Sequence, residues 1–270
     1  MKLAVYDPAS ASSKASPATA DSDADTTAND APSALTASEL TTELADRGID
    51  LADAAAADLL VTVGVAGLRA AVAGDDERPL LPIGLAESWQ PEPTEFDALA
   101  ERLSSFATKS VSSVSTTPHR PLQLSVGETT ATAVCDCALI TTQPARISEY
   151  AVAAAAKPAA ETDATTTTEF RSDGVIVATP LGSEGYARAA GGPRLAPETG
   201  VAVVPIAPFA MQADSLVCHP PLSLTVERDT DVTVFADDQR VATGGDELSV
   251  SISLGSAVSV VDARGGVDRQ

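Results

Sequence analysis

The sequence has few basic and few aromatic residues, and it contains no long apolar run. Of its 270 residues, 17 are Lys or Arg, 38 are Asp or Glu, and only 3% are aromatic. Proteins that bind nucleic acid need a basic surface for the phosphates, so this composition argues against that class. A helix that spans a bilayer needs roughly 20 consecutive apolar residues, and the sequence has no such run. We therefore expect neither a nucleic-acid partner nor a membrane partner.

The balance of charge is strongly acidic. The formal net charge is −21, and the four lysines are Lys2, Lys14, Lys109 and Lys157. An acidic, lysine-poor chain rich in Ala, Thr and Asp is typical of halophilic proteins, in which molar salt screens the self-repulsion. An ordinary acidic protein is the alternative. The composition therefore predicts a halophilic protein. Residues 1–10 lack the apolar stretch of a signal peptide, so we expect the protein in the cytoplasm.

Cysteine and histidine are also scarce, which leaves little material for a metal site. A C-x-C pair, Cys135 and Cys137, has one distant companion, Cys218, and this arrangement is a weak metal signal. The pair instead fits one face of a strand, where both side chains would be buried as small hydrophobes. His119 and His219 adjoin prolines, and we expect them at the surface without a catalytic role. We assign no metal ligand.

Two patterns of apolar residues divide the chain. Residues 1–106 alternate short apolar runs with helical segments, which indicates a small doubly wound α/β domain. Within this domain, residues 8–32 contain almost no large apolar residue, and we expect a disordered insert or long loop there. Ser38 is expected to cap the first helix. The expected strands are Lys2–Tyr6, Leu59–Val63 and Leu80–Ile83.

The pattern changes after a Ser/Thr-rich linker at residues 107–118. Strands of period two, separated by short turns, continue over residues 119–262, and the longest is expected at Thr129–Thr141. This alternation predicts an antiparallel, β-sandwich-like second domain. Residues 263–270 are assigned to a tail.

The stretch Asp173–Pro193 is the strongest candidate for a ligand site. An Asp-Gly turn precedes the apolar run Val175–Ala178, which predicts a buried strand. A turn with two glycines follows at Leu181–Gly185, and an Ala-rich helical segment ends at the Gly-Gly-Pro of residues 191–193. A strand, a glycine-containing turn and a helix in this order direct free backbone N–H groups toward a bound anion. A turn that binds nothing is the alternative.

The same stretch resembles the signature of the NAD kinase family. The matching residues are Asp173, Thr179, Pro180, Gly182, Ser183, Tyr186, Gly191 and Gly192. The resemblance implies an N-terminal α/β domain and a C-terminal β-rich domain that holds the dinucleotide. It also implies homo-oligomerisation through the second domain. The ligand would be NAD or NADP, and the residues implied to hold it are Asp173, Thr179, Gly182, Ser183 and Tyr186.

In this family, a G-G-D-G-T turn of the first domain carries the chemistry. NAD kinases transfer the γ-phosphoryl group of ATP to the 2′-hydroxyl of the adenosine ribose, and the Asp of this turn is the expected base. The corresponding place here reads Gly64-Val65-Ala66-Gly67-Leu68. Gly64 and Gly67 match the family and are assigned to the ligand site. Ala66 cannot accept a proton, so we assign no catalytic residue.

Other positions keep or lose the side chains of the family. Asp136 matches the acid of an Asn-acid pair that contacts adenosine, whereas Cys135 replaces the Asn. Glu184 replaces a hydroxyl residue near the adenine, and Phe209 replaces a His. The turn Asp237-Asp238-Gln239 resembles a D-G-Q turn of the family. The resemblance therefore assigns Asp136 to the ligand site.

These matches and departures leave three hypotheses for the function. The first is a catalytically impaired NAD kinase-like protein, a pseudoenzyme that binds NAD(H) or NADP(H) and has a regulatory role. The second is an active ATP-dependent kinase that acts on NAD or a related hydroxyl compound, with Asp75 or Asp76 as a displaced acid; only this function needs ATP and Mg²⁺. The third is a structural or interaction protein that binds no nucleotide. The glycines persist and the Asp does not, which favours the first hypothesis.

Overall fold

The computed structural model describes residues 1–8, 35–74, 76–85, 93–142, 147–155, 165–209, 214–228 and 231–261. The chain divides into two compact units, which we call unit 1 and unit 2. Unit 1 is Met1–Ser115 together with the chain from Val261, and unit 2 is Thr116–Val260. Residues 9–32 of the expected insert, the acid Asp75 and the expected tail at 263–270 lie outside the described residues.

Unit 1 alternates strands and helices. Its elements are β1 (Leu3–Val5), α1 (Ala37–Asp46), β2 (Leu59–Val63), α2 (Gly64–Ala73), β3 (Leu80–Ile83) and α3 (Pro93–Ala107), with short 3₁₀ turns at Ala54–Ala56 and Val111–Ser113. The strands β1 and β3 both pair with β2 in parallel. Parallel strands require crossover connections, which the helices supply. The expected α/β architecture is therefore present.

The core of unit 1 lies against one face of this sheet. Leu59 and Val61 of β2 pack with Leu40 and Leu44 of α1 and with Leu103 of α3. Within the described part of the chain, no helix is both long and apolar enough to cross a membrane.

The first helix begins two residues earlier than a cap at Ser38 predicts. Thr36, not Ser38, is the capping residue: its Oγ1 accepts a hydrogen bond from the Glu39 amide at 3.2 Å, and Glu39 Oε2 accepts one from the Thr36 amide at 2.8 Å. This reciprocal capping box satisfies two amides that the helix leaves unpaired.

Unit 2 consists mainly of antiparallel strands. The strands from residue 116 onward are β4 (Thr116–His119), β5 (Leu122–Val126), β6 (Thr129–Ala133), β7 (Asp136–Thr141), β8 (Ser148–Ala155), β9 (Thr165–Ser172), β10 (Gly174–Ala178), β11 (Val201–Ile206), β12 (Leu216–Cys218), β13 (Leu222–Arg228), β14 (Val232–Ala236), β15 (Gln239–Gly244), β16 (Ser249–Leu254) and β17 (Val258–Val261). The strands β5 to β16 form two antiparallel sheets, to which β4 and β17 do not belong. One six-stranded sheet has the order β12-β11-β10-β7-β14-β15, and the other has the order β6-β5-β16-β13-β8-β9. A 3₁₀ turn at Gly182–Glu184 and the short helix α4 (Tyr186–Ala189) follow β10.

The two sheets share one core, as the β-sandwich expectation requires. Leu222, Leu224 and Val226 of β13 point into this core, as do Val175 and Val177 of β10 on the facing sheet. Successive residues of a strand point to opposite faces, so every second residue reaches the interior. The period-two pattern of the sequence is the direct result.

Strand β10 is buried on both faces, which explains its unbroken apolar run. Its alternate residues, Ile176 and Ala178, pack on the outer face of the sheet with Ala187 of α4 and with Ala202 and Val204 of β11. The short helix α4 therefore covers one face of β10 while the other sheet covers the opposite face. The candidate turn begins where this buried strand ends.

The strand expected at Thr129–Thr141 is wrong as a single element. The chain bends at Val134 and Cys135, so that β6 joins β5 in one sheet and β7 lies between β10 and β14 in the other. A continuous strand could not pair in both sheets, because the two sheets pack face to face. Cys135 therefore lies on the bend and not within a strand.

Candidate functional site

Thr179 ties the end of β10 to the bend between β6 and β7. Its amide donates to the Cys135 carbonyl at 2.8 Å. Its Oγ1 lies 3.0 Å from the Val134 carbonyl and 2.9 Å from the Cys135 carbonyl, and it accepts from the Gly182 amide at 3.2 Å. The side chain is fully buried. The hydroxyl hydrogen and one lone pair of Thr179 are thus used within the protein.

Ser183 is also turned inward. Its Oγ donates to the Pro180 carbonyl at 2.8 Å and accepts from the Leu195 amide at 3.0 Å. Its amide donates to the Thr179 carbonyl at 2.9 Å, and the residue is fully buried. Like Thr179, Ser183 holds the turn in shape from within.

Gly182 is required by packing. A Cβ at this position would lie 2.1 Å from the Cys135 carbonyl oxygen and 2.5 Å from its carbon. Both are backbone atoms of the bend, which cannot move aside as a side-chain tip could. Close approach of two backbones accounts for glycine at this position.

Asp237, in the turn between β14 and β15, holds the other side of the bend. Its Oδ2 accepts from the Val134 amide at 2.9 Å, and its Oδ1 accepts from the Cys135 amide at 2.7 Å and the Asp136 amide at 3.1 Å. Its own amide donates to the Asp136 carbonyl at 2.8 Å. One carboxylate thus accepts hydrogen bonds from three backbone amides of the bend. Such hydrogen bonds are stronger when the acceptor is charged.

His119 adds a third contact to the bend. Its Nε2 lies 2.9 Å from the Val134 carbonyl oxygen, and the residue is 6% exposed. The expectation of a surface position is therefore wrong for His119. Burial lowers the pKa of this imidazole to about 4, because the charged form loses its hydration. His119, like Asp237, contacts backbone atoms of residues that are distant in the sequence. The sequence pattern around His119 therefore could not predict this contact.

Cys135 and Cys137 are both buried, as expected for small hydrophobes. Burial is the main cause that raises the pKa of the Cys137 thiol, and the carboxylates of Asp136 and Asp237 raise it further. A thiol held in its protonated form is a poor nucleophile and a poor metal ligand. Among the described residues, no three His, Cys, Asp or Glu side chains are grouped so that they could hold a metal ion.

The side chains that face solvent in this region come from the turn, from α4 and from the start of β7. Tyr186 is 46% exposed at the start of α4. Glu184 is paired with Arg194, whose Nη2 lies 2.9 Å from Glu184 Oε1. Asp136 is partly exposed at the start of β7. The structure thus brings Asp136 close to Thr179, Gly182 and Ser183 through the bend.

Asp173 does not join this group. It lies at the opposite end of β10, where its amide donates to the Ile206 carbonyl and its carbonyl accepts from the Thr141 amide, both at 3.0 Å. Six residues of extended chain separate Asp173 from Thr179, and at about 3.3 Å per residue this is about 20 Å. The two expected ligands thus lie at different ends of one strand.

In unit 1, Gly64 begins α2 directly after β2. It has a φ of +64°, in the region that favours glycine. The first turn of α2 contains no acidic residue, and Val63 provides no side-chain cap. Ala66 is exposed, whereas Leu68 is fully buried. The first turn of α2 therefore offers no carboxylate that could take a proton.

Gly67 is buried and lies against β2. A Cβ at Gly67 would lie 3.8 Å from the Thr62 carbonyl carbon, an ordinary contact distance. Gly67 therefore lies over the strand in the first turn of α2.

Asp76 follows the end of α2 and is engaged by Arg78. Its Oδ1 accepts from Arg78 Nε at 2.8 Å and from the Arg78 amide at 3.0 Å. The hydrogen bond from the Arg78 side chain is the main cause that lowers the pKa of Asp76. A carboxylate with a lowered pKa is a weaker base.

Comparisons with known proteins locate the similarity mainly in unit 2. The family model of the ATP-NAD kinase C-terminal domain matches residues 147–261. This range contains the turn with Thr179, Gly182, Ser183 and Tyr186, and it leaves out Asp136, Gly64 and Gly67.

Curated relatives match over part of their length. The NAD kinase of Caldicellulosiruptor saccharolyticus is 41% identical over 75 residues, which are 27% of this chain and 29% of the relative. The NAD kinase of Methanoregula boonei is 31% identical over 126 residues, which are 46% of this chain and 40% of the relative. The chain thus spans less than half the length of these relatives.

Solved structures with the same fold extend over both units. Yeast NADH kinase complexed with NADH superimposes with a TM-score of 0.60 and 17% identity, covering 78% of this chain and 64% of that chain. An NAD kinase from Archaeoglobus fulgidus in complex with ATP gives a TM-score of 0.56 and 19% identity, covering 84% of this chain and 89% of that chain. At these identities the likeness establishes the fold.

Proposed function

Because the chain belongs to the NAD kinase family, we propose that it binds an NAD(H)- or NADP(H)-type dinucleotide through unit 2 and transfers phosphate weakly or not at all. The observation that supports binding is the rigid support of the turn after β10. Thr179, Asp237 and His119 together hold the bend between β6 and β7 from three sides. A site held in advance loses little conformational freedom when a ligand binds.

The side chains proposed to meet the ligand are those that the scaffold leaves at the surface. Tyr186 offers a ring against which a base or nicotinamide can stack, and Asp136 offers a carboxylate to ribose hydroxyls. Thr179, Gly182 and Ser183 act behind them by holding the turn. Gly64, Gly67 and Asp173 remain proposed contacts at the start of α2 and at the far end of β10.

The proposed catalytic impairment rests on the start of α2. Phosphoryl transfer to a hydroxyl needs a group that orients or deprotonates that hydroxyl. The first turn of α2 has no acid, and Ala66 stands where the family resemblance expects one. The role would then be regulation through nucleotide binding, in a cytoplasmic, halophilic homo-oligomer.

Two features of Asp76 argue against the alternative of an active kinase with a displaced acid. Its pairing with Arg78 lowers its pKa and occupies its oxygens. It also follows a helix of 10 residues that begins at Gly64, which at about 1.5 Å per residue puts the two about 15 Å apart. An active kinase would need ATP and Mg²⁺; a protein that binds no nucleotide is the remaining alternative.

Binding and transfer can be tested on the full chain in molar KCl. We expect calorimetric titration to detect NAD or NADP, and Tyr186→Ala to weaken that binding, while Arg240→Gln on β15 leaves it unchanged. Failure of NAD, NADP and ATP to bind would contradict the proposal.

A second assay measures NADP formed from ATP, Mg²⁺ and NAD. We expect little or no NADP above background, and we expect that Ala66→Asp alone does not raise its formation because Val65 and Leu68 also depart from the family pattern. NADP formation that is lost in Asp75→Asn or Asp76→Asn would instead establish the active kinase.

A further inference from the structure

The outer face of one sheet of unit 2 carries an uncharged row of residues that crosses all six of its strands. This sheet has the order β6-β5-β16-β13-β8-β9. Cross-strand pairs link one residue of each strand to the next. In strand order, the members of this row are Thr130, Ser125, Ser251, Ser223, Ala153 and Thr167.

These side chains point away from the core. Leu124, Leu224 and Val250, which are next to members of the row in sequence, are buried between the two sheets. Successive residues of a strand point to opposite faces, so the row lies on the outside. Ser125 and Ser251, on two neighbouring inner strands, are exposed.

The rows on either side extend this surface without charge. Thr132, Gln123 and Ser253 pair across β6, β5 and β16. On the other side, Ser249 of β16 pairs with Thr225 of β13. We call these residues, together with the row that crosses all six strands, the hydroxyl face.

Acidic residues lie at the rim of the hydroxyl face and not within it. Glu128 follows β5, Glu247 precedes β16, and Glu227 lies near the end of β13, all of them exposed. The register of the three strands puts these positions at the same end of the sheet. In a chain of net charge −21, a face of this width without a carboxylate is a local exception. Charged residues are depleted at the centres of protein–protein interfaces.

We propose that the hydroxyl face is the contact surface between two copies of this chain, related by a two-fold axis. Such an axis puts the same surface on both sides of the contact. A hydroxyl group both donates and accepts hydrogen bonds, so a face rich in Ser and Thr is complementary to its own image. Two copies that meet here keep their carboxylates at the rim, where solvent and salt screen them.

The size of the hydroxyl face predicts a weak association. Six strands about 4.8 Å apart span about 24 Å, and three rows about 7 Å apart cover about 20 Å along the strands. This is roughly 500 Å² on each copy, and the total of about 1,000 Å² lies at the lower limit for a specific interface. We expect a dissociation constant in the micromolar range and tighter association in molar KCl, which screens the acidic rims.

The proposal rests on the proposed function in one respect, the homo-oligomer, for which it names a surface. It does not depend on nucleotide binding. A chain that doubles its mass and binds no nucleotide would contradict the dinucleotide site and support the hydroxyl face. A monomeric chain that binds NAD would do the reverse.

Sedimentation velocity of the full chain tests the association. We expect the mass to double reversibly between about 1 µM and about 100 µM chain in molar KCl, and the association to weaken as KCl is lowered to about 0.1 M. A mass that does not change over this range overturns the proposal. Association that strengthens as KCl is lowered also overturns it, because it would indicate an interface of ion pairs.

Variants locate the contact surface. Ser251→Glu adds one carboxylate per copy near the centre of the hydroxyl face and should raise the dissociation constant at least about hundredfold. Ser125→Glu on the neighbouring strand should do the same, and circular dichroism shows whether each variant is folded. Ser104→Glu makes the same change on the exposed surface of α3 and should leave the association unchanged. Association that survives in a folded Ser251→Glu or Ser125→Glu chain, or that all three substitutions weaken equally, overturns the assignment.

Discussion

Replacement of Asp237 by Asn tests whether one carboxylate holds the bend between β6 and β7. Asp237 accepts hydrogen bonds from the amides of Val134, Cys135 and Asp136 over 2.7–3.1 Å. Asn has nearly the same shape, and it tolerates the φ of +54° found at this position. The substitution therefore changes the hydrogen bonds and the charge but not the backbone geometry.

The size of the effect follows from which oxygen is lost. One oxygen of Asn can still serve the Cys135 and Asp136 amides, but the NH₂ group then faces the Val134 amide, which is also a donor. Leaving such an amide without an acceptor costs about 1–3 kcal/mol, and the two remaining bonds weaken because the acceptor is no longer charged. We expect Asp237→Asn to lower the free energy of unfolding of unit 2 by about 2–4 kcal/mol.

Urea unfolding at neutral pH and constant molar KCl measures this loss. A difference of about 2.8 kcal/mol changes the unfolding equilibrium about a hundredfold, and deuterium exchange at residues 134–136 should accelerate accordingly. Asp214→Asn is the matched control, because Asp214 is exposed and its change should stay within about 0.5 kcal/mol. Equal stability of the two variants would refute the role of Asp237.

Three further predictions concern packing, pH and salt. Gly182→Ala should destabilise unit 2 by about 3 kcal/mol in thermal unfolding because its Cβ would overlap the Cys135 carbonyl; Gly185→Ala should have a far smaller effect, since the nearest atom lies 3.5 Å away. Burial lowers the pKa of His119 from 6.5 to about 4. The stability that His119 contributes is therefore complete above the pKa of the unfolded state and is lost as the pH falls from about 7 to 4. Unfolding curves of His119→Gln should not show this dependence of stability on pH. Lowering KCl from 1 M to 0.1 M should lower the melting temperature, because the screening length grows from about 3 Å to about 10 Å; an unchanged melting temperature would contradict the halophilic interpretation.

Much of the fold was predictable because it depends on local alternation. Apolar residues at period two indicated the strands of unit 2, and the unbroken run Val175–Ala178 indicated a buried strand. The bend at Val134 and Cys135 was not predictable in this way. These residues continue the apolar pattern of the strands beside them, and only pairing partners in two different sheets decide where the strand breaks.

The candidate site was also predictable only in part. The glycines and the Thr-Pro pair after β10 can be recognised in the sequence because a tight turn restricts which residues fit. The roles of those residues could not be predicted: Thr179 and Ser183 direct their hydroxyl groups into the protein, which depends on carbonyls at Val134, Cys135 and Pro180.

By itself the sequence determined the family resemblance, the two-part organisation and the loss of an acid at Ala66, since each is a matter of residue identity and spacing. Only the tertiary structure decided that His119 is buried, that Thr179 and Ser183 turn inward, and that Asp237 supports a segment about 100 residues away in the chain. Hydrogen bonds and burial depend on distance in space, and the packing of two sheets brings together residues whose separation in sequence contains no record of that contact.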